Sequence, residues 1–261
     1  MIREPELRAL LDFAGEAARQ AGQLTLAHFR SGLQAEAKAD GSPVTAADRG
    51  AEDLLREMIG ARHPEHSVVG EERGADERPS PFRWWIDPID GTRAFVRGVP
   101  LYGVLLGIEL EGDIVAGVAH FPALAETLSA ARGLGCSWNG RPARVSSVDS
   151  LDRAAVLASD FGELARLRPE AWRRLVASPA LQRGWGDCYG HCLVATGRAE
   201  VMLDPVMNPW DCAALLPIVE EAGGTFGDWS GARRFDGGSA VSTNRALLGA
   251  VRRLLDGEPG R

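Results

Sequence analysis

Four acidic positions in this chain stand where their neighbours could make them act together. In Trp84-Trp85-Ile86-Asp87-Pro88-Ile89-Asp90-Gly91-Thr92, two carboxylates bracket a proline. Pro88 fixes φ and brings no N–H donor, so a strand entering through the tryptophans is expected to end there. Asp87, Asp90 and the Ile89 carbonyl can then point into one space, and hard divalent cations such as Mg²⁺ take oxygens of this kind. Gly91 lets the backbone approach a ligand closely. The N–H groups of Gly91, Thr92 and Arg93 could hold a phosphate if a short helix starts there. The other two positions are Glu71, just past Ser67-Val68-Val69-Gly70, and Asp211 in Asn208-Pro209-Trp210-Asp211. Plainer readings exist for each segment. Asp-Pro-x-Asp-Gly-Thr has the composition of a surface turn. Asn208 suits an N-cap, Pro209 a first helical position, and Asp211 the positive end of the helix dipole. Asp48 stands three residues after Thr45, the spacing of a capping box, and Asp187 reads as the N-cap of a helix opening at Cys188.

Elements are needed to position these residues. Leu7, Leu10, Leu11, Ala14, Ala18, Ala21 and Leu24 recur at helical spacing and predict a helix over 5–29, with Pro5 in its first turn. Residues 31–43 are polar, contain Asp40-Gly41-Ser42-Pro43, and read as a loop. A second helix is expected over about 45–59, with Ala47, Ala51, Leu54, Leu55 and Met58 as its apolar stripe. Short strands are expected at 67–70 and 84–86, and an exposed loop at 74–81. Strand-like runs follow at 101–110, 113–120 and 125–131, with a hairpin turn at Gly112-Asp113. Beyond residue 145 the rhythm alternates, with strands near 154–159, 200–203 and 239–243. Helices are expected near 163–177, 188–196, 209–222 and 244–255. Pro217 predicts a kink in the third of these, and Gly223-Gly224 its end. The expected fold class is α/β of the layered α+β kind. An N-terminal half over 1–145 carries an antiparallel sheet and the metal motif, a C-terminal α/β half spans 146–261, and the two form one compact unit.

Composition sets the outer bounds. The chain has 261 residues, of which 45% are apolar and 25% charged, so a packed core is expected and disorder is not. Acids outnumber bases 36 to 29, a net charge of −7. That speaks against nucleic acid or an anionic membrane as partner. It leaves a phosphorylated ligand open, because a bound cation inverts the local charge. No run of 18 apolar residues is present and the first residues lack an apolar leader core, so a cytoplasmic protein is expected. Cys136, Cys188, Cys192 and Cys212 are too scattered for a disulfide framework and are expected to be buried thiols.

Taken together, the motifs resemble those of the inositol monophosphatase family of metal-dependent phosphatases. The matching segments are Asp40-Gly41-Ser42-Pro43-Val44-Thr45 leading to Asp48, Gly70-Glu71-Glu72, and Trp85 to Thr92. Leu193-Val194-Ala195-Thr196-Gly197-Arg198-Ala199 and Trp210-Asp211 before Glu221-Ala222-Gly223-Gly224 complete the set. They run in family order over about residues 38–224. Within the family the chain is most similar to the histidinol-phosphate phosphatases, through Gly186-Asp187-Cys188-Tyr189-Gly190-His191 and Asp204-Pro205 before Asn208-Pro209-Trp210-Asp211-Cys212. Inositol monophosphatases usually carry Gly-Thr in place of Gly186-Asp187 and a glutamate in place of Asp204. Arg93-Ala94 departs from the commoner Thr-Asn.

The resemblance implies an αβαβα sandwich of the inositol monophosphatase and fructose-bisphosphatase type, usually dimeric. It implies two or three Mg²⁺ per site held by Glu71, Asp87, the Ile89 carbonyl, Asp90 and Asp211. Gly91 and Thr92 would bind the phosphate, Asp48 would support the outer metal or the attacking water, and Lys38 would belong to a mobile lid. The expected reaction is hydrolysis of L-histidinol phosphate, a step of histidine biosynthesis, by metal-activated water, with Glu71 and Thr92 orienting that water. Asp187 and Asp204 suit the cationic leaving group, and Asn208 its imidazole. The alternatives are an inositol or broad polyol-phosphate phosphatase, and a binding protein of the same fold that has lost the chemistry.

Overall fold

The computed structural model describes residues 2–256 apart from 33, 39, 40 and 179, so Asp40 of the first family segment lies outside the described residues. The chain opens with α1 (Glu4–His28), a small ribbon of β1 (Glu36–Ala37) and β2 (Pro43–Val44), and α2 (Ala46–Arg62). A mixed sheet follows, formed by β3 (Ser67–Gly70), β4 (Gly74–Asp76), β5 (Phe82–Asp90), β6 (Gly103–Leu110), β7 (Asp113–Phe121), β8 (Glu126–Ala131), β9 (Gly135–Trp138) and β10 (Arg141–Pro142). The short α3 (Thr92–Val96) leaves β5. The sheet order is β10-β9-β8-β7-β6-β5-β3-β4, antiparallel except for the β3/β5 pair.

A second sheet, ordered β12-β11-β13-β15-β14, is built from β11 (Ala155–Ala158), β12 (Leu181–Arg183), β13 (Val201–Asp204), β14 (Gly224–Gly227) and β15 (Ala240–Asn244). Its helices are α4 (Phe161–Leu167), α5 (Pro169–Ala177), α6 (Asp187–Ala195), α7 (Pro209–Ala213), α8 (Leu215–Glu221) and α9 (Leu248–Asp256).

Alternation along the strands makes the layers. Trp84, Ile86, Val104, Leu106 and Ile108 face α1 and α2. Leu105, Phe121, Leu128 and Ala130 face the opposite way, onto α6 and α8, and Leu157, Met202 and Phe226 of the second sheet meet those helices from the other side. Val156, Val201, Leu203 and Val241 then turn outward onto α5 and α9. The result is helices, sheet, helices, sheet, helices. The five-layer α/β sandwich expected from the resemblance is the observed architecture, and its middle helix pair is buried on both faces.

Several elements differ from the sequence reading. β5 does not stop at Asp87-Pro88. It runs on to Asp90 with its register to β6 shifted between Asp87 and Asp90, because a bulge absorbs the missing proline donor. The stretch 74–81 contains β4. The helix expected at 163–177 is two helices broken at Pro169, a proline that opens the second. The third helix divides at Ala214: Pro217 has no N–H for the Ala213 carbonyl four residues back. The β6–β7 hairpin turns one residue early, on Glu111 and Gly112 with φ of 54° and 87°, the primed geometry that matches strand twist. All four cysteines are buried thiols, as expected. Among the described residues, no helix is long and apolar enough to cross a membrane.

The α7–α8 joint has its own seat. Gly107 and Gly117 are directly paired across β6 and β7. A Cβ on Gly107 would overlap the Ala213 side chain, and one on Gly117 would overlap the Ala214 carbonyl oxygen. The missing side chains let the joint lie against the sheet, which fixes α7 and therefore Asp211. Gly117→Ala is expected to destabilise the fold by about 1–3 kcal/mol through overpacking, read as a lower urea midpoint. An unchanged midpoint would mean that the joint does not rest on this glycine pair.

Candidate active site

Asp87 and Asp90 are brought to the site by the end of β5, an interior strand of the first sheet. Asp87 Oδ1 accepts the Ile89 N–H at 2.9 Å, closing a turn around Pro88. Asp90 Oδ1 accepts the Cys188 N–H at 2.8 Å, so the start of α6 holds it in place. Asp211 comes from the first turn of α7, where its Oδ2 accepts the Asn208 N–H at 2.8 Å in a capping arrangement. One oxygen from each of Asp87, Asp90 and Asp211 lies within 4.8 Å of the others.

Electrostatics reports the crowding. Burial pushes the Asp87 carboxyl well above its usual range, and the charges of Glu71, Asp90 and Asp211 add to it. Burial does the same to Asp90, with Asp187 and Asp211 adding. Asp211 is pushed up to about 7, chiefly by burial, against the lowering effect of the Asn208 N–H. Hard oxygen donors that carry excess negative charge and converge this closely fit a divalent cation such as Mg²⁺.

Glu71 follows β3 and its N–H donates to the Ile86 carbonyl at 3.2 Å, which sets it beside Asp87. Its Oε1 is bonded to Lys38 Nζ at 2.6 Å, and the same ammonium reaches Glu72 Oε1 at 2.6 Å. Burial alone would lower the Lys38 pKa; its bonds to Glu71 and Glu72 outweigh that and hold it above the usual lysine range. Asp48 is buried in the capping box of α2, where Thr45 N–H donates to its Oδ2 at 2.8 Å. Its Oδ1 lies 3.4 Å from Thr92 Oγ1, and Thr92 donates to the Ile89 carbonyl at 3.0 Å. Burial raises the Asp48 pKa. Both readings of Asp48 hold at once: one oxygen caps the helix and the other faces Thr92.

These groups line one cleft of about 330 Å³. Its floor carries Glu71, Asp87, Ile89, Asp90 and Asp211, with Gly91 and Thr92 at the start of α3. Gly91 has φ +83°, and a Cβ there would sit 2.9 Å from the Leu101 carbonyl oxygen and 3.1 Å from Asp187 Oδ2, so only glycine fits. Asp187, Asp204 and Asn208 reach the same cleft.

Asp187 is not the N-cap of α6. Gly186 takes that place, pressed against Ser159, and Asp187 has φ +51° with its N–H donating to Ser159 Oγ at 2.6 Å. Burial and then Asp204 push its pKa up to about 6. Asp204 is engaged from behind: its Oδ2 lies 3.1 Å from His191 Nε2, while His191 Nδ1 meets Ser242 Oγ at 2.6 Å. His191 is fully buried, and Tyr189 stands beside Arg198 and Glu126, so neither lines the cleft.

The cleft takes in Arg93, whose N–H was expected to help hold a phosphate, and residues that the sequence did not single out, notably Ser159, Asp160, Glu163 and Val206. Asp160 caps α4 by accepting the Glu163 N–H at 2.9 Å. The Asp-x-x-Glu spacing after a strand was the available signal for that corner.

Comparisons with known proteins identify the family. Residues 6–256 match the Inositol monophosphatase family. The histidinol-phosphatase of Chlorobaculum parvum is 49% identical over 244 residues, covering 91% of this chain and 93% of that protein. The histidinol-phosphatase of Mycobacterium tuberculosis is 40% identical over 238 residues, 88% of this chain and 91% of that protein. The solved structure of extragenic suppressor protein SuhB from Bartonella henselae superposes with a TM-score of 0.90 at 26% identity, covering 96% of this chain and 100% of that one. With a family match that spans nearly its whole length and these carboxylates gathered on one floor, this chain belongs to the inositol monophosphatase family and is a phosphatase.

Proposed function

We propose that the chain hydrolyses L-histidinol phosphate to L-histidinol and phosphate in a Mg²⁺-dependent reaction, the step that serves histidine biosynthesis. The observation that carries this reading is the convergence of Asp87, Asp90 and Asp211 at the base of a cleft whose opposite wall is also acidic. The two relatives named histidinol-phosphatase support the choice of substrate. A homodimer acting in the cytoplasm completes the reading.

Asp87, Asp90 and Asp211, with Glu71 and the Ile89 carbonyl, are the residues that would hold Mg²⁺, which when bound supplies an acidified water and charge neutralisation at the leaving oxygen. The chain's own groups do the rest. The Thr92 proton is directed to the Ile89 carbonyl, so a lone pair of its Oγ1 is free to accept from the attacking water. Asp48, hydrogen-bonded by Thr45 on its other oxygen, stands 3.4 Å from the Thr92 hydroxyl as a second acceptor for that one proton, so the proton stays turned away from the water. Glu71 accepts the water's proton at its carboxylate as Lys38 moves with the lid segment. Gly91 and Thr92 present backbone N–H groups to the phosphate at the opening of α3. Transition-state charge is met by groups already in place, so no covalent intermediate is needed. On the opposite wall, Asp187, with Asp160 and Glu163 beside it, receives the ammonium of the leaving group, and Asn208 the imidazole.

The test is a phosphatase panel with Mg²⁺ that includes histidinol phosphate and inositol 1-phosphate. Histidinol phosphate is expected to give the higher kcat/KM; comparable values on both would move the reading to a broad polyol-phosphate phosphatase. Chelation should abolish phosphate release and added Mg²⁺ restore it. Asp90→Asn should lower kcat/KM by about a hundredfold or more, since a ligand is removed rather than a supporting group. Release that survives both treatments would remove the metal from the account.

Stability gives a second handle. In chelator, the folded state keeps a proton on Asp211 up to about pH 7, whereas the unfolded chain loses it near 3.8. The folded state therefore binds more protons in between, and stability should fall as pH rises through that window. Mg²⁺ at a hundred times its Kd should return about 2.7 kcal/mol. Its effect on Tm should be larger at pH 8 than at pH 6, because fewer protons must be displaced. A Tm indifferent to Mg²⁺ at pH 8 would contradict the proposed site.

A further inference from the structure

The turn that carries Glu71 is tied to a carboxylate with no part in the mechanism above. Glu52, on α2, is fully buried. Its Oε2 accepts the Glu72 N–H at 2.7 Å, and its Oε1 accepts both the Arg73 N–H at 3.1 Å and Arg56 Nε at 2.7 Å. Arg56 also reaches the Gly74 carbonyl on the far side of the turn. Gly70, the last residue of β3, makes room for the arrangement: a Cβ there would overlap Glu52 Oε1. One side chain from a neighbouring helix thus fixes residues 70–73, with Glu71 in the middle.

Holding α2 against the sheet does not call for such a group. Ala51, Leu55 and Ile59 already pack with Trp84 and Ile86. A buried carboxylate is costly unless its oxygens are satisfied, so an apolar residue would serve adhesion better. What a carboxylate adds is a pair of acceptors for two successive N–H groups. Those bonds set the peptide planes on either side of Glu72 and hence the direction in which Glu71 leaves the chain. The Ile86 carbonyl holds the Glu71 N–H from the opposite side. Arg56 matches the charge of Glu52, so the arrangement adds no net negative charge behind an already crowded floor.

We infer that Glu52 is a positioning residue that presents Glu71 to the cation, an inference resting on the proposed role of Glu71 as a ligand. Glutamine at 52 keeps the volume, but its NH₂ group would face an N–H, so at least one tie is lost. Alanine at 70 displaces the carboxylate from the other side and gives an independent route to the same defect.

The experiment titrates metal-free protein with Mn²⁺, read by electron paramagnetic resonance, for the wild type, Glu52→Gln, Gly70→Ala and Glu71→Gln. Asp53→Asn, which breaks an exposed bridge to Arg73, is the control. Glu52→Gln and Gly70→Ala are each expected to weaken Mn²⁺ binding by about tenfold or more. The Glu72 and Arg73 amides should exchange faster in both, while KM for histidinol phosphate at saturating Mg²⁺ stays unchanged. Asp53→Asn should bind Mn²⁺ like the wild type. If Glu71→Gln loses affinity while Gly70→Ala, or a folded Glu52→Gln, keeps it in full, Glu52 is only structural and the inference falls alone. If Glu71→Gln itself binds Mn²⁺ normally, the ligand role of Glu71 fails and takes this inference with it.

Discussion

Mutual repulsion among Asp87, Asp90 and Asp211 is the constraint around which this fold is arranged. Their oxygens lie within 4.8 Å of one another, and Asp87 and Asp90 are only 2% and 7% exposed. Like charges at that separation, out of water, oppose folding. Each is met by one backbone donor: Ile89 N–H for Asp87, Cys188 N–H for Asp90 and Asn208 N–H for Asp211. One donor closes a turn and the other two belong to helix starts, where N–H groups have no partner inside the helix. The carboxyls still titrate above their ordinary range, so the donors do not complete the neutralisation. What remains is a standing preference for a proton or a cation.

That preference can persist because the rest of the molecule is packed tightly enough to enforce it. α6 lies between two sheets with Cys188, Cys192, Leu193 and Val194 in the shared core, so its first turn cannot back away from Asp90. α7 is placed by the α7–α8 joint lying on Gly107 and Gly117. Ile89, between the two carboxylates, packs with Ala47, Phe95 and Tyr102, which anchors α2 and α3 to the same turn. Apolar burial in three separate places stabilises an arrangement that its own charges disfavour.

Much of this was legible in the residues. Proline and glycine around Asp87 and Asp90 announced an interrupted backbone, the Asn208-Pro209 pair announced a helix start, and the 3.6-residue pattern gave α1 and α2. The departures have physical causes. A strand was expected to end at Pro88, and its pairing with β3 does stop at Ile86, but β6 carries it through to Asp90 with a bulge. Asp187 looked like a cap, yet Ser159 holds its N–H in a left-handed turn and Gly186 takes the cap. That contact joins segments 28 residues apart and has no local signature. β12 and β14 are short edge strands, and the glycines of β14 read as a helix terminus. The pairing of His191 with Asp204, and of Lys38 with Glu71 and Glu72, depends on which faces meet across layers; spacing alone does not encode it.

The division of labour among the remaining carboxylates bears on substrate choice. On the proposed reading the four on the floor would hold a cation and, through it, the phosphate, so their charges would be accounted for within the reacting centre. Asp204 is held by His191 inside the core. Asp160 accepts the Glu163 N–H of the α4 cap on one oxygen and has its other 4.0 Å from Arg93, whose side chain is 70% exposed. Asp187 and Glu163 line the remaining part of the cleft, Glu163 with Arg166 3.3 Å from its Oε1, and on the proposed reading the leaving group would lie there. A polyol placed there would strip water from these carboxylates and return only neutral hydrogen bonds, whereas an ammonium returns charge-assisted ones. The energetic difference falls on the leaving group and not on the phosphate. If the proposed reading holds, a site built this way would discriminate between esters that share the same reacting bond.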